Sequence, residues 1–177
     1  MSDAIARLAR SDDWSERVRA AHVIAWSDVA EQEEIVVRLL RDSGSTAVCE
    51  AMAASLLEAR REGAIHLILR ALGQSGGDAT PEAAQCLLEG LLDSELDGLD
   101  VRGTIISVLL ETDARDELLG SLAAINWLAP GGGFPAPPRA LARVTRLARH
   151  KDEAMRKAAR DALPALGSSW QQPDLEG

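Results

Sequence analysis

The chain predicts an all-α fold, an α-α superhelix of four to five antiparallel helix hairpins. Three observations carry that expectation. Apolar residues recur at a period of about 3.6 through every long segment. Related motifs, Val18-Arg19-Ala20-Ala21 and Met155-Arg156-Lys157-Ala158-Ala159-Arg160-Asp161-Ala162-Leu163-Pro164-Ala165-Leu166-Gly167, stand near the two ends. The apolar residues, 46% of 177, include one Phe, four Trp and no Tyr, so the core must be packed by Ala, Leu, Val and Ile. A single helical pair cannot bury its apolar face alone, so such units stack on neighbours and leave an extended surface suited to holding another macromolecule.

The segments follow in order. In 13–26, Trp14, Val18, Ala21, His22 and Ala25 share a face, opened by Asp13 with Glu16 three residues on in capping-box spacing. Asp28 and Glu31 repeat that start for 28–41, which turns Val29, Ile35, Val36, Leu39 and Leu40 inward before Asp42-Ser43-Gly44-Ser45 ends it. Segment 45–60 carries Val48, Ala51, Met52, Ser55 and Leu56, and 63–73 carries Ile65, Ile68, Leu69 and Leu72. Gly73-Gln74-Ser75-Gly76-Gly77-Asp78 reads as the first clear loop. Thr80 and Pro81 then open a helix burying Ala84, Leu87, Leu88 and Leu91. Val101, Ile105, Val108 and Leu109 mark 100–111, and Leu118, Leu119, Leu122 and Ile125 mark 113–128. The Gly- and Pro-rich stretch 130–138 is an insertion between helices. Segment 139–150 buries Leu141, Val144 and Leu147 opposite Arg139, Arg143 and Arg146, and the last helix runs from about Asp152 to Leu166. Residues 1–167 are read as one repeat domain and 168–177 as a tail, with Trp170 folded over its end.

With Thr46-Ala47-Val48-Cys49-Glu50-Ala51-Met52-Ala53-Ala54-Ser55-Leu56-Leu57 added, the two bracketing motifs make the chain resemble the HEAT-repeat family, in particular its short bacterial members related to phycobilin-lyase repeats. The resemblance implies that the apolar residue of each Val-Arg pair packs between repeats while the Arg reaches an Asp of a neighbouring loop, giving Arg19 and Arg156 structural roles. Cys49 stands in the Arg place of the second unit, a departure from the pattern. The resemblance also implies a scaffold or binding module, with no catalytic signature.

Charge narrows the function. The chain holds 28 acidic and 19 basic residues, net −9, which argues against general nucleic-acid binding, because that needs a basic footprint to displace counterions. An acidic partner is disfavoured on the same grounds. The imbalance is concentrated in 78–133, where eleven acids face only Arg102 and Arg115, while 134–167 holds eight bases and three acids. Within the acidic block, Glu82, Gln85, Glu89 and Asp93 follow helical spacing, and Glu95, Asp97, Asp100, Asp116 and Glu117 extend the same sign. A solvated helix face accounts for such a pattern. The functional reading is a surface that steers a basic protein partner.

No catalytic residues, cofactor or metal are predicted. Asp93-Ser94-Glu95-Leu96-Asp97-Gly98 resembles half of a calcium loop, but its twelfth position is Thr104 rather than a bidentate carboxylate. His22, His66 and His150 fall in separate repeats, with His22 read as a core histidine, and Gly131-Gly132-Gly133 is a loop among prolines rather than a phosphate cradle. Cys49 and Cys86 sit within apolar helical patterns and read as small buried hydrophobes in a reducing compartment. Met1-Ser2-Asp3-Ala4 opens without a leader pattern and no apolar run spans a bilayer, so a soluble cytoplasmic protein is expected. The function expected is a noncatalytic protein-binding module, in its sharpest form an acidic immunity protein or antitoxin that neutralises a basic toxin or nuclease. Two alternatives stay open. One is a scaffold or chaperone for assembly of an enzyme complex; the other is a HEAT-like nucleic-acid enzyme of the glycosylase type, gripping phosphate with the Arg139, Arg143 and Arg146 stripe.

Overall fold

Where the apolar period runs unbroken, the backbone closes into helix. The computed structural model describes residues 2–25, 30–60, 63–74, 100–128 and 137–167. Among the described residues there are nine α-helices and no strand: α1 (Ser2–Leu8), α2 (Trp14–Ala25), α3 (Glu33–Leu40), α4 (Thr46–Glu58), α5 (Ala64–Gln74), α6 (Val101–Glu111), α7 (Arg115–Leu128), α8 (Pro138–Leu147) and α9 (Glu153–Gly167). The all-α expectation holds. The helix read after Thr80, the calcium-loop resemblance at 93–98, Cys86, the glycines of 131–133 and the tail with Trp170 lie outside the described residues.

Most faces fall where the pattern places them. Val48, Met52, Ser55 and Leu56 of α4, Ile65, Ile68, Leu69 and Leu72 of α5, and Leu118, Leu119, Leu122 and Ile125 of α7 are all buried. Each large aliphatic side chain so buried contributes about 1.5–3 kcal/mol of transfer free energy. Cys49 is fully buried, its thiol donating to the Leu40 carbonyl at 3.0 Å.

Several local expectations are corrected. Of the face expected for α2, Ala21 is buried and Val18 is partly buried against the core, but Trp14 is 53% exposed, and Ala20 and Ile24 complete the buried side. His22 is also on the surface, its Nδ1 2.9 Å from the Ser55 hydroxyl. The capping box is half made: Asp13 Oδ1 accepts from the Ser15 N–H at 2.8 Å, but the Asp13 N–H donates to Ser11 Oγ and not to Glu16. The second helix starts late, since Ala30–Gln32 is a 3-10 turn and α3 begins only at Glu33.

A further correction concerns Gly73, read as the start of a loop. It lies in the last turn of α5, buried. A Cβ there would fall on the Asp116 carbonyl oxygen and 2.9 Å from the Gly120 nitrogen; one on Gly120 would fall on the Leu69 carbonyl oxygen and 3.0 Å from Leu69 Cα. The two glycines let α5 and α7 touch backbone to backbone. This is the most extensive helix contact among the described residues. Within the continuous runs of described helices, alternate helices pair: α2 with α4, α3 with α5, α6 with α8, and α7 with α9, while α1 packs on α2 and α8 on α9.

Alanine is favoured over glycine by about 1 kcal/mol in a helix interior, so Gly120→Ala would stabilise an isolated α7. In the folded chain the sign reverses. Gly120→Ala should destabilise by about 2–3 kcal/mol or more through forced separation of the helices, whereas Gly167→Ala, with nothing within 4 Å of its added Cβ, should be close to neutral. Urea denaturation of the two variants checks this, and a stabilised Gly120→Ala would refute the contact.

Candidate functional site

A helix leaves its last carbonyls and its first amides without partners, so charged residues near helix ends are drawn into capping before any ligand is met. That competition decides which of the expected surface charges remain available. Of the acidic residues assigned to partner binding, Glu82, Glu89, Asp93, Glu95 and Asp97 lie outside the described residues. The other three serve helix starts. Asp100 is the N-cap of α6, its side chain accepting from the Gly103 N–H at 2.8 Å, and its backbone carbonyl accepts from the Thr104 hydroxyl at 2.8 Å. Asp116 and Glu117 occupy the first turn of α7, where the helix dipole favours negative charge. Asp116 lies 3.6 Å from Arg115, and Glu117, whose side chain is 20% exposed, lies 3.6 Å from His66 Nδ1 on α5.

The basic stripe of α8 divides in the same way. Arg143 caps the preceding hairpin: it donates to the Leu110 carbonyl at 2.6 Å, to the Thr112 carbonyl, and to Asp113 Oδ1 at 3.1 Å. It is therefore a tie between α8 and the end of α6, not part of an open phosphate-gripping face. Arg139 and Arg146 remain exposed, as do Arg149, Lys151 and Arg160; Lys157 pairs with Asp161 at 2.7 Å.

Other arginines do similar work. Arg41 donates to the Gln74 carbonyl at 3.1 Å at the end of α5, and Arg102 approaches the Leu128 carbonyl at 3.5 Å at the end of α7. Arg17 bonds Asp42 at 2.6 and 3.1 Å and also the Ser11 and Asp12 carbonyls at 2.7 and 3.1 Å. Arg156 bonds the His150 and Lys151 carbonyls at 3.0 and 3.5 Å. Arg17 and Arg156 thus hold equivalent places, four residues after Asp13 and Asp152, in the turns that open α2 and α9. The role implied for Arg19 belongs to Arg17, two positions earlier; Arg19 is exposed. Arg156 reaches its own turn rather than an Asp in a neighbouring loop, while Asp152 is met by Arg115, whose Nε lies 2.8 Å from Oδ2.

That hydrogen bond, with the Met155 N–H as a second donor, holds the Asp152 carboxyl below the usual carboxylate range and raises Arg115 in return. At Asp13 the backbone N–H of Ser15 is the chief cause of a similar lowering.

The sequence reading missed one constellation. Glu34, Val37, Arg38, Arg41, Ser43, Arg70 and Gln74 line an open depression of about 390 Å³ between α3 and α5. Arg38 and Arg41 were visible as an i, i+3 pair on the polar side of α3, but nothing local signals that Arg70 of the next hairpin joins them. Arg70 pairs there with Glu33. Among the described residues no group of three or more His, Cys, Asp and Glu is placed to hold a metal ion, and no helix is long and apolar enough to cross a membrane. Among the described residues, the large apolar side chains left exposed are Trp14, Val23 and Trp127.

Two predictions separate capping from binding. Arg143→Ala should cost about 1.5–3 kcal/mol by orphaning charge-assisted bonds to backbone carbonyls, while Arg139→Ala and Arg146→Ala should stay within about 0.5 kcal/mol; guanidinium chloride melts of the three variants check it. Asp152 has a depressed pKa, so its contribution is present above the ordinary carboxylate pKa and lost as pH falls through the lowered one. The stability difference between wild type and Asp152→Asn should accordingly be largest near neutrality and close on acidification. A gap that widens in acid would refute the assignment.

No protein-family model and no curated protein matches the chain.

Proposed function

We propose that the protein is a noncatalytic protein-binding module, a HEAT-like superhelix whose acidic segment recognises a partner with a basic surface. The pairing of alternate helices supports the repeat reading, because stacked hairpins bring each helix against the next but one. The observation that carries the partner's sign is the charge count of 78–133, eleven acids against Arg102 and Arg115. Arg115 divides its charge between Asp116 inside the block and Asp152 beyond it. Arg143 returns one charge at Asp113, so the segment keeps a large excess of acid. Such an excess raises self-repulsion, and a cationic surface relieves it.

In its sharpest form this module is an immunity protein or antitoxin whose carboxylates fill the phosphate-binding cleft of a nuclease. Assembly of an enzyme complex is the second form of the same binding role. Withdrawal of Arg143 into a cap weighs against the nucleic-acid enzyme, because the stripe loses its middle member.

The test uses the partner captured from the native host. Its association rate should fall by about tenfold or more as ionic strength rises toward physiological values. Glu89→Lys with Asp97→Lys should lower the on-rate more than it raises the off-rate. A partner whose binding ignores both salt and the reversals overturns the steering surface and transfers recognition to apolar residues such as Trp127.

A further inference from the structure

We infer that the depression between α3 and α5 is a binding site for an oxyanion of the phosphate class. This inference does not rest on the proposed partner reading, since it concerns a different face and the opposite charge. The walls are rich in donors and poor in acceptors. Arg38, Arg41 and Arg70 bring three guanidinium groups to one opening, against a single lining carboxylate, Glu34. Arg38 is exposed and has no partner among the described residues. The Arg41 Nε is buried without an acceptor while its two terminal nitrogens are held by Gln74. Because the Gln74 Oε1 accepts from Arg41, the amide nitrogen of that side chain is left as a donor, and the Ser43 hydroxyl adds another.

This donor set selects among ligand classes. Three arginines against Glu34 and the Arg70-paired Glu33 leave the opening net positive, which disfavours a cation, and an apolar group would find only Val37 to pack against. A carboxylate presents two oxygens in one plane, which one guanidinium satisfies in a bidentate pair. A phosphoryl group offers three oxygens in different directions, matching donors contributed by two helices and the turn after α3. The site is also prearranged. Glu33 steadies Arg70 from outside the depression and the end of α5 steadies Arg41, so less side-chain freedom is lost on binding.

The experiment is a titration of the whole chain with inorganic phosphate, followed by the backbone amide resonances of 38, 43, 70 and 74. Saturable shifts should appear there with phosphate, smaller ones with acetate, and none with chloride at matched ionic strength. Arg38→Gln, an exposed change that leaves the core alone, should weaken phosphate binding by about tenfold, and Arg70→Gln should do so independently. A short phosphoserine peptide distinguishes the source of the anion: affinity at least tenfold above inorganic phosphate assigns the phosphorylated side chain of a protein, and equal affinity assigns a free phosphate. Absence of saturation, an equal response to acetate or chloride, or variants that both titrate like wild type would each overturn the assignment.

Discussion

The backbone contact between α5 and α7 is the constraint on which the rest of the described structure depends. Gly73 and Gly120 each present a bare backbone where any side chain would meet the other helix's carbonyls. Dispersion attraction falls steeply with distance, so helices that touch at this range gain contacts along their whole crossing and lose many of them together if held apart. The buried residues on either side of the crossing, Ile68, Leu69 and Leu72 on α5 and Leu118, Leu119 and Leu122 on α7, fit the spacing the glycines set. The C-terminal helices are joined to this point through α7, which carries α6 on one side and α9 on another. Glu117 and His66 add a polar pair across the same two helices.

Arginine provides the second level of organisation, because its five donors suit the unpaired carbonyls at helix ends. Arg41, Arg102 and Arg143 each reach carbonyls at or just past the C-terminus of a helix distant in sequence, while Arg17 and Arg156 hold the turns before α2 and α9. This use has an electrostatic consequence. Arg17 and Arg143 combine the two tasks, meeting Asp42 and Asp113 as well as backbone carbonyls, so charge pairing and helix capping are carried by the same side chains. Structural and functional charge are coupled: the same substitution that frees an arginine for a ligand removes a cap.

How far the site was legible depends on which residues act locally. The inward positions of α4, α5 and α7 follow from periodicity, because burial on one helical face is a local property of the sequence. Asp13 is likewise legible as a helix start, since a cap bonds within three residues of itself, whereas Asp100, read as part of the acidic surface, proves to be a cap of the same kind. Gly73 was not legible, because glycine signals both a loop and a close helix approach, and only the presence of Gly120 opposite selects the second. The motif resemblance points to Arg19 because it follows Val18, yet the carbonyls to be tied are those of Ser11 and Asp12, which Arg17 reaches from the nearer turn. The stripe on α8 misled for a related reason. Helical spacing places Arg139, Arg143 and Arg146 near one another, but a neighbouring hairpin draws the middle one away.

The acidic segment and the arginine-lined depression impose different physical requirements on whatever meets them. Charges spread along a surface act through the field over distances near the Debye length, about 8 Å at physiological salt, and so influence encounter more than residence. The depression acts only at contact, through directed hydrogen bonds from groups already held by Glu33 and Gln74. Added salt weakens the first strongly and the second less, because directed hydrogen bonds at contact distance are screened less than charges a Debye length apart. A protein bearing both surfaces can therefore separate attraction from selection. On the proposed readings, a cationic partner would be gathered by one surface and a phosphoryl group read by the other, through donors that α3 and α5 hold side by side.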